Sequence, residues 1–176
     1  MAALILIGLV KENQTAFEAR VNQLAASLGV DPNFLMIVMY KESRLNHRAV
    51  NLQSGATGLI QFMPSTARSL GITTASLAAM SNVQQLDYVE RYLRPYKSKM
   101  KRLIDVYLSV FYPVAVGKSE SHIIAKSGTV VYNQNTGLDI DRNGQITVAD
   151  VQKWLESGLP VEALRYINSK KKVVVL

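Results

Sequence analysis

Hydrophobic side chains recur every three to four residues along most of the chain, which is the period of an α-helix. One such run extends from Phe17 to Leu28. A capping box of Thr15 with Glu18 marks its predicted start, and Gly29, a residue type favoured just after a helix, marks its end. The pattern predicts further helices over 31–43, from 64 to 71, from 81 onward and through 103–108. The sequence therefore predicts a mainly α fold, in which the stretch 129–132 is compatible with one brief strand.

The second predicted helix carries a carboxylate on its hydrophobic face. Asp31 is a good N-cap and Pro32 suits the first helical position. Leu35, Val38 and Glu42 then lie on one face at helical spacing. Because burial disfavours an ionised carboxylate, we expect Glu42 to have a raised pKa and to hold a proton near neutral pH, as a general acid must. The alternative is an ordinary surface glutamate at a frayed helix end.

Composition narrows the function classes. The 176 residues are 48% hydrophobic, enough for one compact domain, and the lack of cysteine excludes thiol catalysis and thiolate metal sites. The net charge of +7 favours an anionic partner such as nucleic acid, anionic lipid or cell-wall polymer. The basic runs at 97–102 and 170–172 lack interleaved aromatic residues, so we expect solvated surface and no nucleic-acid binding.

The apolar start, Met1–Val10, is too short to span a bilayer and has no basic region before it. We therefore expect no membrane span and no clear signal peptide, and we expect a monomer.

Residues 139–150 carry oxygen ligands at the spacing of a calcium loop. Side chains at loop positions one, three, five and twelve, and a backbone carbonyl at seven, give the predicted ligand set: Asp139, Asp141, Asn143, Asp150 and Gln145. Gly144 at position six permits the sharp turn that such loops make. Asp150 stands where an EF-hand usually has a bidentate glutamate, as in dockerin-like loops, so we expect weaker or less selective Ca²⁺ binding with a structural role. The alternative is a metal-free turn.

Two motifs together carry a family resemblance. Glu42-Ser43 is followed by Gly55-Ala56-Thr57-Gly58-Leu59-Ile60-Gln61-Phe62-Met63-Pro64. This resembles the lysozyme-like lytic transglycosylase family (the soluble lytic transglycosylase domain), in which Glu-Ser precedes Gly-Ala-x-Gly-Leu-(Met/Ile)-Gln-x-Met-Pro. The resemblance covers the chain roughly from Phe17 to Tyr112.

The stretch 51–58 is rich in Ser, Gly, Asn and Thr, which predicts turns or a short hairpin. The resemblance implies a lysozyme-like α domain with that segment beside the active site. It implies cleavage of the MurNAc–GlcNAc β-1,4 bond of peptidoglycan, with no cofactor for catalysis. Glu42 would be the single acid/base, and Ser43 and Gln61 would orient it and the substrate. The remaining substrate-binding residues that we expect on this basis are Phe62, Met63, Tyr107 and Tyr112.

One family motif is altered. The family usually has Ala-Tyr-Asn-Ala-Gly on a later helix, with its tyrosine near the acid, whereas the corresponding stretch of this chain places Phe111 there. Tyr107, Tyr112 and Tyr132 are the candidates for a replacement, and the choice among them stays open.

The distribution of carboxylates bears on the mechanism. A two-carboxylate glycosidase needs a second Asp or Glu across the sugar, but after Glu42 the next acidic residue is Asp87. We therefore expect the 2-acetamido group of the substrate to act as nucleophile and the product to be 1,6-anhydroMurNAc. The alternatives are a goose-type lysozyme, which is a hydrolase with the same acid, and a non-catalytic calcium-dependent wall-binding module.

We expect a catalytic domain over 1–135 and the calcium loop with a final helix over 136–176, packed on the same domain. A wall-directed activity places the protein in the periplasm, outside the cell or in a phage virion. The lack of a clear signal peptide favours a bacteriophage product.

Overall fold

The computed structural model describes residues 3–173 and is mainly helical, which confirms the predicted fold class. Residues 1–2 of the apolar start lie outside the described part. The helices in chain order are α1 (Gln14–Leu28), α2 (Pro32–Ser43), α3 (Pro64–Ser69), α4 (Thr74–Ala79), α5 (Asn82–Leu93), α6 (Leu103–Phe111), α7 (Val130–Gln134), α8 (Val148–Glu156) and α9 (Val161–Val173). The strands are β1 (Ile123–Lys126) and β2 (Gln145–Thr147). Short 3₁₀ turns occupy Ile7–Leu9, Arg94–Tyr96, Pro113–Ala115 and Thr136–Leu138.

The chain divides into two compact units, and the first contains the described parts of 1–98 and 161–176. Its centre is α1, which packs against both α2 and α5. The side chains that α1 contributes, among them Phe17 and Leu24, are fully buried, as is Leu86 of α5. Burial of such apolar area is the main stabilising contribution to a core of this kind.

The second unit covers residues 99–160 and is built on α6, which packs against α8. Strands β1 and β2 pair antiparallel, with Lys126 opposite Gln145 and Ala125 opposite Ile146. Buried Asp105 fixes the start of α6, because its carboxylate accepts hydrogen bonds from the backbone N–H of Arg102 at 2.9 Å and of Gly117 at 3.1 Å. The units meet in sequence at 98–99 and 160–161; the functional division at 135–136 stays a prediction.

Two local predictions were wrong. α1 begins at Gln14 after Asn13, and Glu18 does not cap it, because its carboxylate accepts a hydrogen bond from the backbone N–H of Leu4 at 2.8 Å. The stretch 129–132 is not a strand, since the Thr129 side chain caps the start of α7. In both places a tertiary contact or a cap decides between two conformations that the local residue pattern allows.

Within residues 3–173, no helix has both the length and the apolar character needed to cross a membrane.

Candidate active site

Glu42 lies one residue before the end of α2, and its side chain is half-buried. Asp31 caps the helix as predicted, accepting a hydrogen bond from the backbone N–H of Asn33 at 3.0 Å. The five residues 35–39 are all buried, so the apolar face is wider than a single stripe. The helix ends at Arg44 and Leu45, both in the left-handed conformation with φ of 56° and 61°. Glu42 therefore stands where a buried helix reaches the surface.

The segment after α2 folds back on itself as the predicted turn or hairpin. Thr57 forms isolated antiparallel bridges with both Val50 and Phe62. The backbone N–H groups of Thr57 and Phe62 donate to each other's carbonyls at 3.0 and 2.8 Å. Gly58 donates to the carbonyl of Ala49 at 2.8 Å. These bonds give the motif a defined shape with little regular secondary structure.

Ser43 ties this segment to the helix that carries Glu42. Its buried hydroxyl lies 3.0 Å from the carbonyl oxygen of Met39 in the preceding turn and 3.0 Å from that of Leu59 in the hairpin. Because Ser43 is 7% exposed, its role in the described structure is to hold backbone. The orienting role of Ser43 and its direct contact with substrate both stay predictions.

Gln85 of α5 is a positioning residue that sequence reasoning missed. Its fully buried side chain accepts a hydrogen bond from the backbone N–H of Leu59 at 3.0 Å and donates to the carbonyls of His47 at 2.6 Å and Leu77 at 2.7 Å. The signal was present, because Gln85 lies beside Leu86 and one turn before Val89 on the face of α5 that is buried. The sequence analysis gave this polar residue no role, although a glutamine whose hydrogen bonds are satisfied is stable in a core.

Gly58 permits this arrangement. Its φ is +85°, and a Cβ atom at this position would lie 2.5 Å from Oε1 of Gln85. Only glycine combines that conformation with that close approach. The glycine of the motif therefore serves packing and backbone geometry together.

The other motif residues occupy different depths. Gln61, in a left-handed conformation with φ of 52°, donates from its side-chain amide to the carbonyls of Ala49 at 3.2 Å and Gly58 at 3.1 Å. Phe62 is buried and packs edge-on against Tyr92, with ring centroids 6.1 Å apart. Met63 is 44% exposed at the start of α3. Their contacts with substrate stay predictions.

Tyr92 of α5 lies within the electrostatic influence of Glu42. Burial, the neighbouring phenol of Tyr96 and the charge of Glu42, in that order, raise the pKa of Tyr92 to about 12. Its phenol therefore keeps its proton at physiological pH. The sequence analysis did not connect Tyr92 with the acid, because that proximity depends on the tertiary fold.

The tyrosines proposed from the altered motif belong to the second unit. Tyr107 is buried, with its ring stacked on Phe111 at 5.8 Å between centroids and 5.9 Å from that of Trp154. Tyr112 is half-buried and follows the last residue of α6. Tyr132 donates a hydrogen bond to Asp139 at 2.7 Å. Which of these tyrosines supports Glu42 or contacts the substrate stays a prediction.

The predicted calcium loop is a compact turn. Asp139 accepts hydrogen bonds from the backbone N–H groups of Asn143 at 3.1 Å and Gly144 at 2.9 Å, and Asp141 accepts one from the Asn143 amide at 3.0 Å. The hydrogen bond from Tyr132, ahead of the backbone donors, lowers the pKa of Asp139. The three side chains at positions one, three and five are thus drawn together.

The last residue of the loop has a second role. Asp150 is buried and closes a capping box with Thr147, accepting from its backbone N–H at 3.0 Å and from its hydroxyl at 2.6 Å. In the part of the chain that the structure describes, no three His, Cys, Asp or Glu side chains gather as a metal centre. Asn143 and the Gln145 carbonyl are not among these four residue types, and the metal assignment stays a prediction.

Comparison with protein families gives a match that covers the candidate site. The family model described as Transglycosylase SLT domain matches residues 20–120, which is more than half of the chain. The matched range contains Glu42, the hairpin and α5, and it ends before the predicted calcium loop.

Proposed function

From its membership of the transglycosylase SLT family, we propose that the chain cleaves the MurNAc–GlcNAc β-1,4 bond with Glu42 as the single acid/base. Members of this family are peptidoglycan lytic transglycosylases. The observation that carries the proposal is the position of Glu42, a half-buried carboxylate at the end of α2 beside a hairpin fixed by Ser43. Partial burial favours the protonated form of a carboxyl group. A general acid that later acts as a base needs that form and access to substrate together.

The proposed reaction needs no water. Protonated Glu42 donates its proton to the glycosidic oxygen while the C1–O bond breaks, and the acetamido carbonyl oxygen of MurNAc attacks C1. The Glu42 carboxylate then accepts the proton of the C6 hydroxyl, whose oxygen attacks C1 and displaces the acetamido oxygen. The product is 1,6-anhydroMurNAc, and Glu42 regains its proton. The absence of any acidic residue between Glu42 and Asp87 in the sequence supports this route over a two-carboxylate one.

The motif residues divide into supports and contacts in this proposal. Ser43 and Phe62, both buried, position the hairpin and act on the substrate through it. Gln61 and Met63 are the more exposed and contact the glycan directly. Tyr107 and Tyr112 bind substrate in this proposal, on the basis of the family resemblance.

We also propose that Ca²⁺ binds the loop over 139–150 and stabilises the second unit without a part in bond cleavage. The ligands would be Asp139, Asp141, Asn143, the Gln145 carbonyl and Asp150. The convergence of the side chains at positions one, three and five supports this, as does Gly144, whose φ of +82° suits position six. Oxygen ligands alone are the donor set that a hard divalent cation prefers.

Members of this family act on the cell wall. For this chain we propose a monomer that works on the wall-facing side of a cell or as part of a bacteriophage particle. Peptidoglycan and its anionic polymers are partners that suit a net charge of +7.

Mass spectrometry of muropeptides released from purified sacculi tests the proposal. We expect glycan ends in 1,6-anhydroMurNAc, each lighter by one water than a reducing end. Dominant reducing-end MurNAc would instead identify a hydrolase of the goose-type lysozyme kind. Absence of any release by a folded protein would identify a non-catalytic wall-binding module.

A further inference from the structure

A small cavity in the first unit is lined in part by His47, whose buried Nε2 atom has no hydrogen-bond partner among the described residues. The cavity measures about 130 Å³ and its lining includes Glu12, Arg44, His47, Arg48 and Asn82. We propose that this cavity binds a carboxylate group. Building on the proposed function, we assign that carboxylate to the peptide stem that MurNAc carries in peptidoglycan.

His47 supplies the first observation. Its side chain is about 6% exposed, and across residues 3–173 its Nε2 atom finds no hydrogen-bond partner. Nε2 lies 3.3 Å from a carboxylate oxygen of Glu12, which is ion-pair distance without the alignment of a hydrogen bond. An unsatisfied buried polar atom costs free energy, so a cavity beside one is suited to a polar occupant.

The side chain of Asn82, which also lines the cavity, is already hydrogen-bonded and does not satisfy the His47 nitrogen. Asn82 already accepts from the backbone N–H of Val83 at 2.9 Å and donates to the carbonyl of Glu12 at 2.6 Å. The backbone carbonyl of His47 is held by Gln85 at 2.6 Å, which fixes the main chain at the imidazole. The cavity is therefore built on fixed backbone.

The charges of the lining residues favour an anion as the occupant of the cavity. Lys11, Arg44 and Arg48 line the cavity, and Glu12 is the acidic residue among its lining residues. Arg48 lies 3.6 Å from the Glu12 carboxylate and offsets its charge. Because Lys11 and Arg44 add two further positive charges, the lining is net positive. Coulomb attraction at such distances favours an anion even at the protein surface.

The volume restricts the occupant to a small anion, and the proposed substrate identifies that anion as a carboxylate. About 130 Å³ holds the equivalent of roughly four waters, which suits a carboxylate but not a sugar ring. Arg44 and Arg48 also follow Glu42 closely in sequence, and the proposed substrate carries carboxylates on the peptide attached to its MurNAc units.

Binding of small probes to the full chain tests the proposal without catalysis. The probes are N-acetylmuramyl-L-alanyl-D-glutamate, which has free carboxylates and no bond to cleave, its fully amidated counterpart, acetate and inorganic phosphate. We expect the free acid to bind and to shift the His47 imidazole NMR signals. We expect the amidated probe to bind at least about tenfold more weakly.

Three variants separate this cavity from general charge effects. Arg48→Gln removes a cation and should weaken binding of the free acid about threefold or more, while Glu12→Gln removes the opposing carboxylate and should tighten it. Arg68→Gln, an exposed cation on α3 outside the cavity lining, should change nothing.

Equal binding of the acid and the amide, unshifted His47 signals, or weaker binding by Glu12→Gln would overturn the carboxylate site. Tighter binding of phosphate would overturn the choice of carboxylate. Acetate binding as tight as that of the muramyl peptide would overturn the assignment to the peptide stem. The release of anhydro products from sacculi is a separate measurement, so failure here leaves the proposed reaction standing, and the reverse also holds.

Discussion

The side-chain carbonyl of Gln85 accepts a hydrogen bond from the backbone N–H of Leu59 at 3.0 Å, with both groups buried. Ser43 contacts the carbonyl oxygen of the same Leu59 at 3.0 Å. The peptide groups on both sides of Leu59 are thus held by side chains from two different helices, α2 and α5. This arrangement fixes the hairpin beside the proposed acid.

Replacing Gln85 with leucine keeps the approximate volume and removes three hydrogen bonds to buried backbone groups. We expect the free energy of unfolding to fall by about 3 kcal/mol, because each buried group left unpaired costs about 1–3 kcal/mol and the site relaxes in part. Gln23→Leu, at an exposed position on α1, is the control and should change stability by less than about 0.5 kcal/mol. Urea unfolding followed by circular dichroism measures both. Equal stability of the two variants would show that the Gln85 network does not hold the hairpin.

Gly58→Ala tests the close approach to Gln85. Gly58 and Gly71 both have positive φ, +85° and +76°, but a Cβ atom at Gly71 would meet nothing within 4 Å. Gly71→Ala should therefore lower the free energy of unfolding by only about 1–2 kcal/mol, the strain of a left-handed conformation for alanine. Alanine at Gly58 should cost more than alanine at Gly71 and should also lower activity, because the added methyl displaces the Gln85 side chain. Thermal unfolding and sacculus digestion by the two variants give the comparison, and identical losses would contradict the steric argument.

The hydrogen bonds of the Glu90 carboxylate predict that part of the free energy of unfolding is lost in acid. Hydrogen bonds from Arg20 at 2.6 Å and from Ser27 at 2.7 Å, with burial acting in the opposite direction, lower the pKa of Glu90 below its ordinary value of 4.5. A carboxylate with a depressed folded-state pKa stabilises the fold above its unfolded-state pKa, and this contribution is lost as pH falls through the folded-state pKa. The free energy of unfolding should therefore drop below pH 4.5 more steeply in the wild type than in Glu90→Gln.

At neutral pH, Glu90→Gln should lower the free energy of unfolding by about 1 kcal/mol. Asp87→Asn is the matched control, since Asp87 pairs with the same Arg20 but is 56% exposed, and it should lose only a few tenths of a kcal/mol. Denaturation midpoints from pH 3 to pH 7 measure the slopes. Parallel pH profiles for the wild type and Glu90→Gln would rule out this role.

The calcium proposal predicts a stability effect separate from catalysis. Ca²⁺ that binds only the folded state should raise the melting temperature by mass action, with a micromolar-to-millimolar affinity because Asp150 replaces the usual glutamate. Asp139→Ala combined with Asp141→Ala should abolish the rise, while activity at low temperature largely persists. Differential scanning fluorimetry with calcium, and with magnesium as a comparison ion, measures the shift. No shift at millimolar calcium, or loss of catalysis in a folded double variant, would contradict the proposal.

Local signals predicted much of the fold. The start of a helix at residue 81 and the cap at Asp31 could be predicted because each depends on residues within one helical turn. The Glu-Ser and hairpin motifs were readable because their residue types and spacing together are specific.

The rest depends on contacts between distant parts of the chain. Gln85 reaches His47 across 38 positions of sequence, and Tyr92 lies in the field of Glu42 through the fold. Glu18, predicted to cap its own helix, instead accepts a hydrogen bond from Leu4. Neither periodicity nor residue type specifies such partners, because a polar side chain has the same hydrogen-bonding capacity toward local and distant groups.

The most direct test of the central claim is the rate at which Glu42→Gln releases muropeptides from purified sacculi. Glutamine keeps the shape of the side chain but cannot donate and then accept the proton, so the account predicts a fall of about 10²-fold or more with an unchanged circular dichroism spectrum. Glu120→Gln, an exposed glutamate of the second unit, should retain wild-type turnover and 1,6-anhydroMurNAc products. Near-normal turnover by folded Glu42→Gln would contradict the assignment of Glu42 as the catalytic acid/base.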